Sequence, residues 1–394
     1  MVIPAVDISP FKNKRTAIVL SGGVVKASAW HLGVALALNE MGFVFKHNNS
    51  PANPDYEIST YVGSSAGSLI NLYFACGYLP LEIIESTILR KKNRLRPISY
   101  KEMFGLRRPK KRPLKIKGSD LFEDWPFFTN HLIRPFTSIS GFFSTQGLHQ
   151  YINDHVIISD RFEDYAADMF VVATQLDHSR KVIFSKYNYP APINDPTAAY
   201  YTQIPVSESI AASMSVPPVY SPYPVQNRQT GQTDYYIDGE IRETLSSHVA
   251  IDNRCDFIIS SWTHTPYHYH DEIGSLINYG LPAILLQSIY LMIQKKILAS
   301  RSKISQSREI LDTVSEFMKN NNIDEGHRKQ LLTILERKLD FNPNVRLIDI
   351  FPRHEDFKFF FRNSFSLNPQ STSEIVTTAY ERTFEVFKDL EWKN

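Results

Sequence analysis

Cysteine is nearly missing from this 394-residue chain: only Cys76 and Cys255 occur, far apart and without metal-ligand spacing. Their scarcity excludes a disulfide framework and a zinc knuckle, and it fits a reducing compartment. The amino-terminal MVIPAVDISPFKNKR has no apolar h-region between a basic start and a small-residue cleavage site, so no secretory signal peptide is expected. Internal repeats, low-complexity tracts and Gly-, Ser- and Pro-rich linkers are lacking too, which leaves a single domain over residues 11–394 as the expectation. The longest uncharged stretch, Ile273 to Gln294, reaches the length of a membrane span but carries Asn278, Gly280, Pro282, Gln287 and Ser288. With Pro282 breaking hydrogen bonding near its middle, it reads as a loop followed by a buried helix from about Ala283, and no transmembrane helix is expected.

Apolar residues are not scarce. At 43% they suffice to fill a large core, and the chain should be globular. The net charge of +2 is unevenly spread: thirteen Lys or Arg and one acid, Glu102, lie between Arg90 and Lys117, giving this stretch +12 against −10 for the rest. Such asymmetry points to an anionic partner. Trp125, Phe127, Phe128, Phe136, Phe142 and Phe143 follow the basic run, and residues 90–143 together read as a long insertion over the fold.

Short apolar runs alternate with helical stretches. TAIVL (Thr16 to Leu20) is a buried strand candidate ending in the turn SGG, and a helix is expected from about Lys26 to Met41, with Trp30, Val34, Leu38 and Met41 facing the core. YEISTYVG, GSSAG and SLINLYFACGY repeat the order of strand, turn and helix; MFVVAT and CDFIISSW are further buried strands. Residues 283–394 look mainly helical, with an exposed connection at KNNNIDEGH and a closing helix from Ser373 to Lys393. The expectation is an α/β fold with a mostly parallel sheet covered on both faces and functional groups at the carboxyl ends of its strands.

Gly63, Ser64, Ser65, Ala66 and Gly67 match G-x-S-x-G in one register only, which makes Ser65 the candidate nucleophile. Such a turn needs small neighbours and lifts the hydroxyl to a helix N-terminus, where amides and the helix dipole favour developing negative charge. A serine capping the helix is the plainer alternative. LSGGVVKAS places Gly22, Gly23 and Val24 at the end of the first strand, with successive amides suited to an oxyanion or a phosphate. Its spacing fits neither a P-loop nor a dinucleotide fingerprint. YYIDGEI sets Asp238 at the end of an apolar run, where low-dielectric surroundings raise a carboxylate's basicity; an Asp-Gly hairpin turn is the alternative. Of the downstream histidines, His248, His264, His268, His270, His327 and His354, none is marked by its context. HTPYHYHD reads as a polar loop rather than a metal site.

Together these stretches resemble the patatin-like phospholipases. The match is carried by LSGGVVKASAWHLGVALAL, GSSAG, ASMSVPPVYSPYPV and IDGE, with GFFSTQGLHQYI and VVATQLDHSRKVIFS also similar, from about residue 15 to residue 265. The resemblance implies a three-layer α/β/α fold and a Ser-Asp dyad, with Ser65 as nucleophile and Asp238 as base. It implies that the amides of Gly22, Gly23, Val24 and Ala66 serve the oxyanion hole, that Gly63, Gly67 and Gly239 support the motifs, and that Lys26 holds the loop's basic position. The sequence departs from the family at Val24 and Ala27, each usually glycine, and at Glu240, usually a small residue. The activity implied is a lipid acyl hydrolase of phospholipase A or lysophospholipase type, without metal or cofactor, acting on phospholipid or lysophospholipid. The basic insertion would seat it peripherally on an anionic membrane surface from the cytoplasm. A catalytically impaired lipid-binding protein, a triad esterase and a transacylase stand as alternatives, and nucleic acid binding is not expected.

Overall fold

The computed structural model describes residues 6–52, 54–106, 140–191, 195–226 and 231–390. TAIVL forms strand β1 (Thr16–Leu20), buried throughout, and the chain turns at once into helix α1 (Val24–Glu40). α1 starts two residues ahead of Lys26 because the Ser364 carbonyl takes the amides of Val25 and Lys26 at 2.9 and 3.4 Å, satisfying its first turn from outside. The second unit is strand β2 (Glu57–Ser64) with helix α2 (Ala66–Ala75). Further along come β3 (Asp168–Gln175), β4 (Arg180–Phe184), β5 (Ala199–Tyr201), α3 (Val206–Ser213), β6 (Tyr223–Gln226), β7 (Thr233–Asp238) and β8 (Phe257–Ser261). The chain finishes with α4 (Gly280–Asn320), α5 (Glu325–Leu339), β9 (Arg346–Ile350) and α6 (Pro369–Lys388).

With the two-residue strand Val44–Phe45, these strands build one ten-stranded sheet whose main path runs β9, β8, β1, β2, β3, β7, β6. Pairing is parallel from β9 across to β3. It turns antiparallel where β3 meets β4 and β7, and where β7 meets β6. Side chains alternate between two cores, as the pleat requires. Ile18 and Leu20 join Tyr61, Met169 and Val171 beneath α1, α2 and α6, whereas Ala17 and Val19 join Val62, Phe170, Val172 and Ile258 on the other face, with Val249, Ile293 and Ile297. The molecule is therefore layered as helix, mostly parallel sheet and helix.

One register detail positions the chemistry. β2 runs beside β3 as far as Ser64 opposite Val172, and the next residue of β3, Ala173, pairs with Asp238 of β7. The end of β7 thus lands just past the carboxyl end of β2.

The uncharged stretch from Ile273 is not a loop leading to a buried helix. A 3-10 turn at Leu276–Tyr279 runs directly into α4, and Pro282 falls in the first turn, where its missing N–H takes nothing from the helix. α4 is largely exposed: only 17% of its most apolar 18-residue window is buried. The apolar composition that suggested burial serves two faces, of which one meets the core. Most of the expected basic and aromatic insertion, residues 107–139 with Trp125, Phe127, Phe128 and Phe136, lies outside the described residues.

Candidate active site

Ser65 stands between β2 and α2 with φ 50° and ψ −124°, a strained conformation for any residue but glycine. Crowding explains its small neighbours. A Cβ on Gly63 would stand 2.6 Å from the Ser68 amide nitrogen, and one on Gly67 would stand 2.3 Å from the Leu20 carbonyl oxygen. Ser213, at the end of α3, holds the turn from below: its Oγ accepts from the Ser65 amide at 2.8 Å and donates to the Val172 carbonyl at 2.6 Å.

The Ser65 hydroxyl lies beside the Asp238 carboxylate, close enough to favour its ionised form. Asp238 is buried, its Oδ1 accepts from the Glu240 amide at 2.9 Å, and its own amide is held by the Ser215 carbonyl at 3.1 Å. Burial pushes its pKa up to about 6, against the lowering effect of the Ser65 hydroxyl and the Glu240 amide. The next residue has to be glycine, since a Cβ on Gly239 would lie 2.4 Å from the Val172 carbonyl oxygen. Gly239 opens a 3-10 turn rather than a hairpin.

The turn after β1 faces this pair: a Cβ on Gly22 would meet the Ser65 Cβ at 2.9 Å and the Glu240 Cγ at 2.8 Å. Gly23 has φ 127° and Val24 φ 57°, so a β-branched residue sits in left-handed backbone. Of the four amides in question, that of Gly22 donates to Glu240 Oε1 at 2.9 Å. Among the described residues, the amides of Gly23, Val24 and Ala66 have no protein acceptor. They are free to receive an oxygen, and two of them lie at helix N-termini.

Glu240 is the neighbour that sequence reasoning noticed only as a departure from a pattern. It is buried, and its Oε2 lies beside Thr244 without a hydrogen bond of ordinary geometry. Burial first, and then the nearby Asp238 carboxylate, push its pKa up to about 8. At neutral pH it is a carboxylic acid.

An apolar pocket borders the site at Val24 and holds about 410 Å³ of space, open solvent at its mouth included. Val24 of the turn, Leu69 one turn after Ser65, and Met214 next to Ser213 line it, with Met103, Leu148 and Tyr220 beyond. Lys26 is buried and directed away from the dyad, its Nζ 2.9 Å from the Tyr290 hydroxyl of α4 and 3.5 Å from the Phe359 carbonyl. None of the six downstream histidines hydrogen-bonds Ser65 or Asp238 among the described residues. His264 comes near the turn instead, with Nε2 3.5 Å from where a Gly23 Cβ would be, and burial lowers its pKa to about 3. The first part of HTPYHYHD is thus buried rather than a polar loop, and among the described residues no group of His, Cys, Asp and Glu is placed to hold a metal ion.

A family model described as patatin-like phospholipase matches residues 18–251, a span that holds the turn after β1, the Ser65 elbow and Asp238. No curated protein matches the chain.

Proposed function

The chain belongs to the patatin-like phospholipase family, a family of lipid acyl hydrolases, and on that premise we propose that it cleaves fatty-acyl esters of phospholipid or lysophospholipid through a Ser65–Asp238 dyad. The observation that carries this reading is the Ser65 hydroxyl, on its strained turn, set beside the buried Asp238 carboxylate. In the proposed cycle Asp238 removes the Ser65 proton as Oγ attacks the ester carbonyl, and the amides of Gly23, Val24 and Ala66 receive the oxyanion. When the tetrahedral intermediate collapses, the carbon–oxygen bond to the leaving alcohol breaks and protonated Asp238 gives that oxygen its proton. Asp238 then deprotonates a water, which attacks the acyl-enzyme. The fatty acid departs as Ser65 regains its proton. The apolar pocket beside Val24 and Leu69 suits the acyl chain of such a substrate.

The test is hydrolysis of a short-chain fluorogenic ester and of mixed phospholipid vesicles by the wild type, S65A and D238N, with product analysis to locate the ester cleaved. Both variants should lose turnover on both substrates while keeping the fold. Full activity in D238N would overturn the dyad.

A further inference from the structure

α4 is apolar on two opposite faces over its first five turns. At about 100° per residue, Tyr290, Ile293 and Ile297 point one way and are buried, the last two in the core beneath the sheet. Leu281, Ile284, Leu285, Leu291 and Met292 point the other way and are exposed, Leu281 at 66% and Met292 at 59%. From Ser300 onward the outer face of the same helix is broken up by Ser302, Lys303, Gln306 and Glu309, with Ile310 and Phe317 the exposed apolar side chains left on it. The outer apolar face is therefore concentrated in the first part of the helix, and a surface helix has no folding reason to carry it.

The patch lies at the catalytic end of the molecule. Tyr290, on the inner face, holds Lys26 of the oxyanion turn, and Lys296 Nζ donates to the carbonyl of Ile241, three residues past Asp238. Ile241 is itself exposed. No charge occurs between Ile273 and Gln294; exposed Lys295 and Lys296 follow on the active-site side, and exposed Tyr269 and Tyr279 mark the other end. An uncharged aliphatic face flanked by aromatics at one end and lysines at the other has the composition of a helix lying in the headgroup plane, where tyrosines and lysines both meet the polar layer. The described part of the basic run offers less: Lys91, Arg94 and Arg96 are paired with Glu85, Glu82 and Glu102.

We propose that the outer face of α4, from Leu281 to Met292, is the element that inserts into the headgroup–acyl boundary of a phospholipid surface and brings the Ser65 mouth to its substrate. This rests on the lipid acyl hydrolase reading for its purpose, though not for its geometry. The helix lies in the interface rather than crossing it, because leaving the protein would strip Tyr290, Ile293 and Ile297 from the core. Two acidic side chains in the patch would be carried into the acyl region, so L285E/M292E should weaken vesicle partitioning at least about tenfold.

The experiment floats the full chain with vesicles of phosphatidylcholine and phosphatidylglycerol, comparing wild type, L285E/M292E and S302E on the polar part of the same face. The expected result is loss of binding in the double variant only, with hydrolysis of the water-soluble ester unchanged and vesicle hydrolysis reduced in step with binding. Equal flotation of all three proteins overturns the proposal. So does a wild-type dimer in sedimentation velocity that L285E/M292E dissociates without any vesicle binding, since the face would then cover a second copy. M292C carrying an environment-sensitive fluorophore gives a readout that needs no acidic variant: its emission must shift to the blue on vesicles, and an unshifted spectrum refutes insertion. Patch-dependent binding in a wild type that hydrolyses nothing would sink the proposed function and leave this inference standing.

Discussion

Replacing Glu240 by glutamine probes the most unusual feature of the site. The glutamine oxygen can keep the bond from the Gly22 amide, now 2.9 Å, while removing the only proton at issue. In the folded protein Glu240 holds that proton to about 8, whereas an unfolded glutamate releases it near 4.5. Folding therefore takes up a proton between those values, and stability falls as pH rises, by about 1.4 kcal/mol for each pH unit. Between pH 5 and 7.5 the unfolding free energy of E240Q should gain about 3 kcal/mol on the wild type. The slope ends once Glu240 ionises in the folded state too. Urea unfolding at a series of pH values measures this difference directly. The same substitution separates two limbs of the rate profile. Activity on a soluble ester should rise through about 6, as Asp238 becomes the free base, and fall through about 8, as ionised Glu240 sets a second negative charge beside the nascent oxyanion. Glu240 is still neutral when Asp238 titrates, so E240Q should keep the acid limb and lose the alkaline one. A stability difference independent of pH, or an alkaline limb that survives in E240Q, would refute the reasoning.

Other consequences are simpler. V24G relieves a β-branched residue at φ 57° and should raise stability by about 1 kcal/mol in chemical denaturation while keeping ester turnover; a loss would mean that the side chain's packing at the pocket outweighs its backbone strain. S213A leaves the buried Ser65 amide without its acceptor, which should lower stability by about 1–3 kcal/mol and reduce kcat more than it changes KM. G239A forces a methyl to within 2.4 Å of the Val172 carbonyl and should abolish turnover by displacing Asp238, whereas wild-type kinetics would show that β7 can shift at no cost.

The parts of the site that could be read from sequence are those where backbone crowding restricts the residue type. Gly63, Gly67 and Gly239 each lie where a Cβ would strike backbone atoms, so the G-x-S-x-G and Asp-Gly patterns report real contacts. The strands were legible for a related reason, since β1 and β3 are buried on both faces and read as unbroken apolar runs. What escaped depends on pairings between distant segments. Glu240 meets the Gly22 amide across 218 positions of chain, and nothing local distinguishes it from a solvated glutamate after a turn. His264 is buried because α4 and the turn after β1 close over it, although its own segment is polar. For α4 the composition was visible but its meaning was not. A helix apolar on all sides reads as buried, and sequence does not show that the protein covers only one of its faces.

Labelling with a fluorophosphonate tests the Ser65–Asp238 claim most directly, because it reports the nucleophile and its activation in one reaction. Mass spectrometry of the digested adduct should place a single label on Ser65, with a rate that rises with pH through about 6 in the wild type and a far slower reaction in folded D238N. A label on any other residue, or undiminished labelling of Ser65 in D238N, would contradict the account.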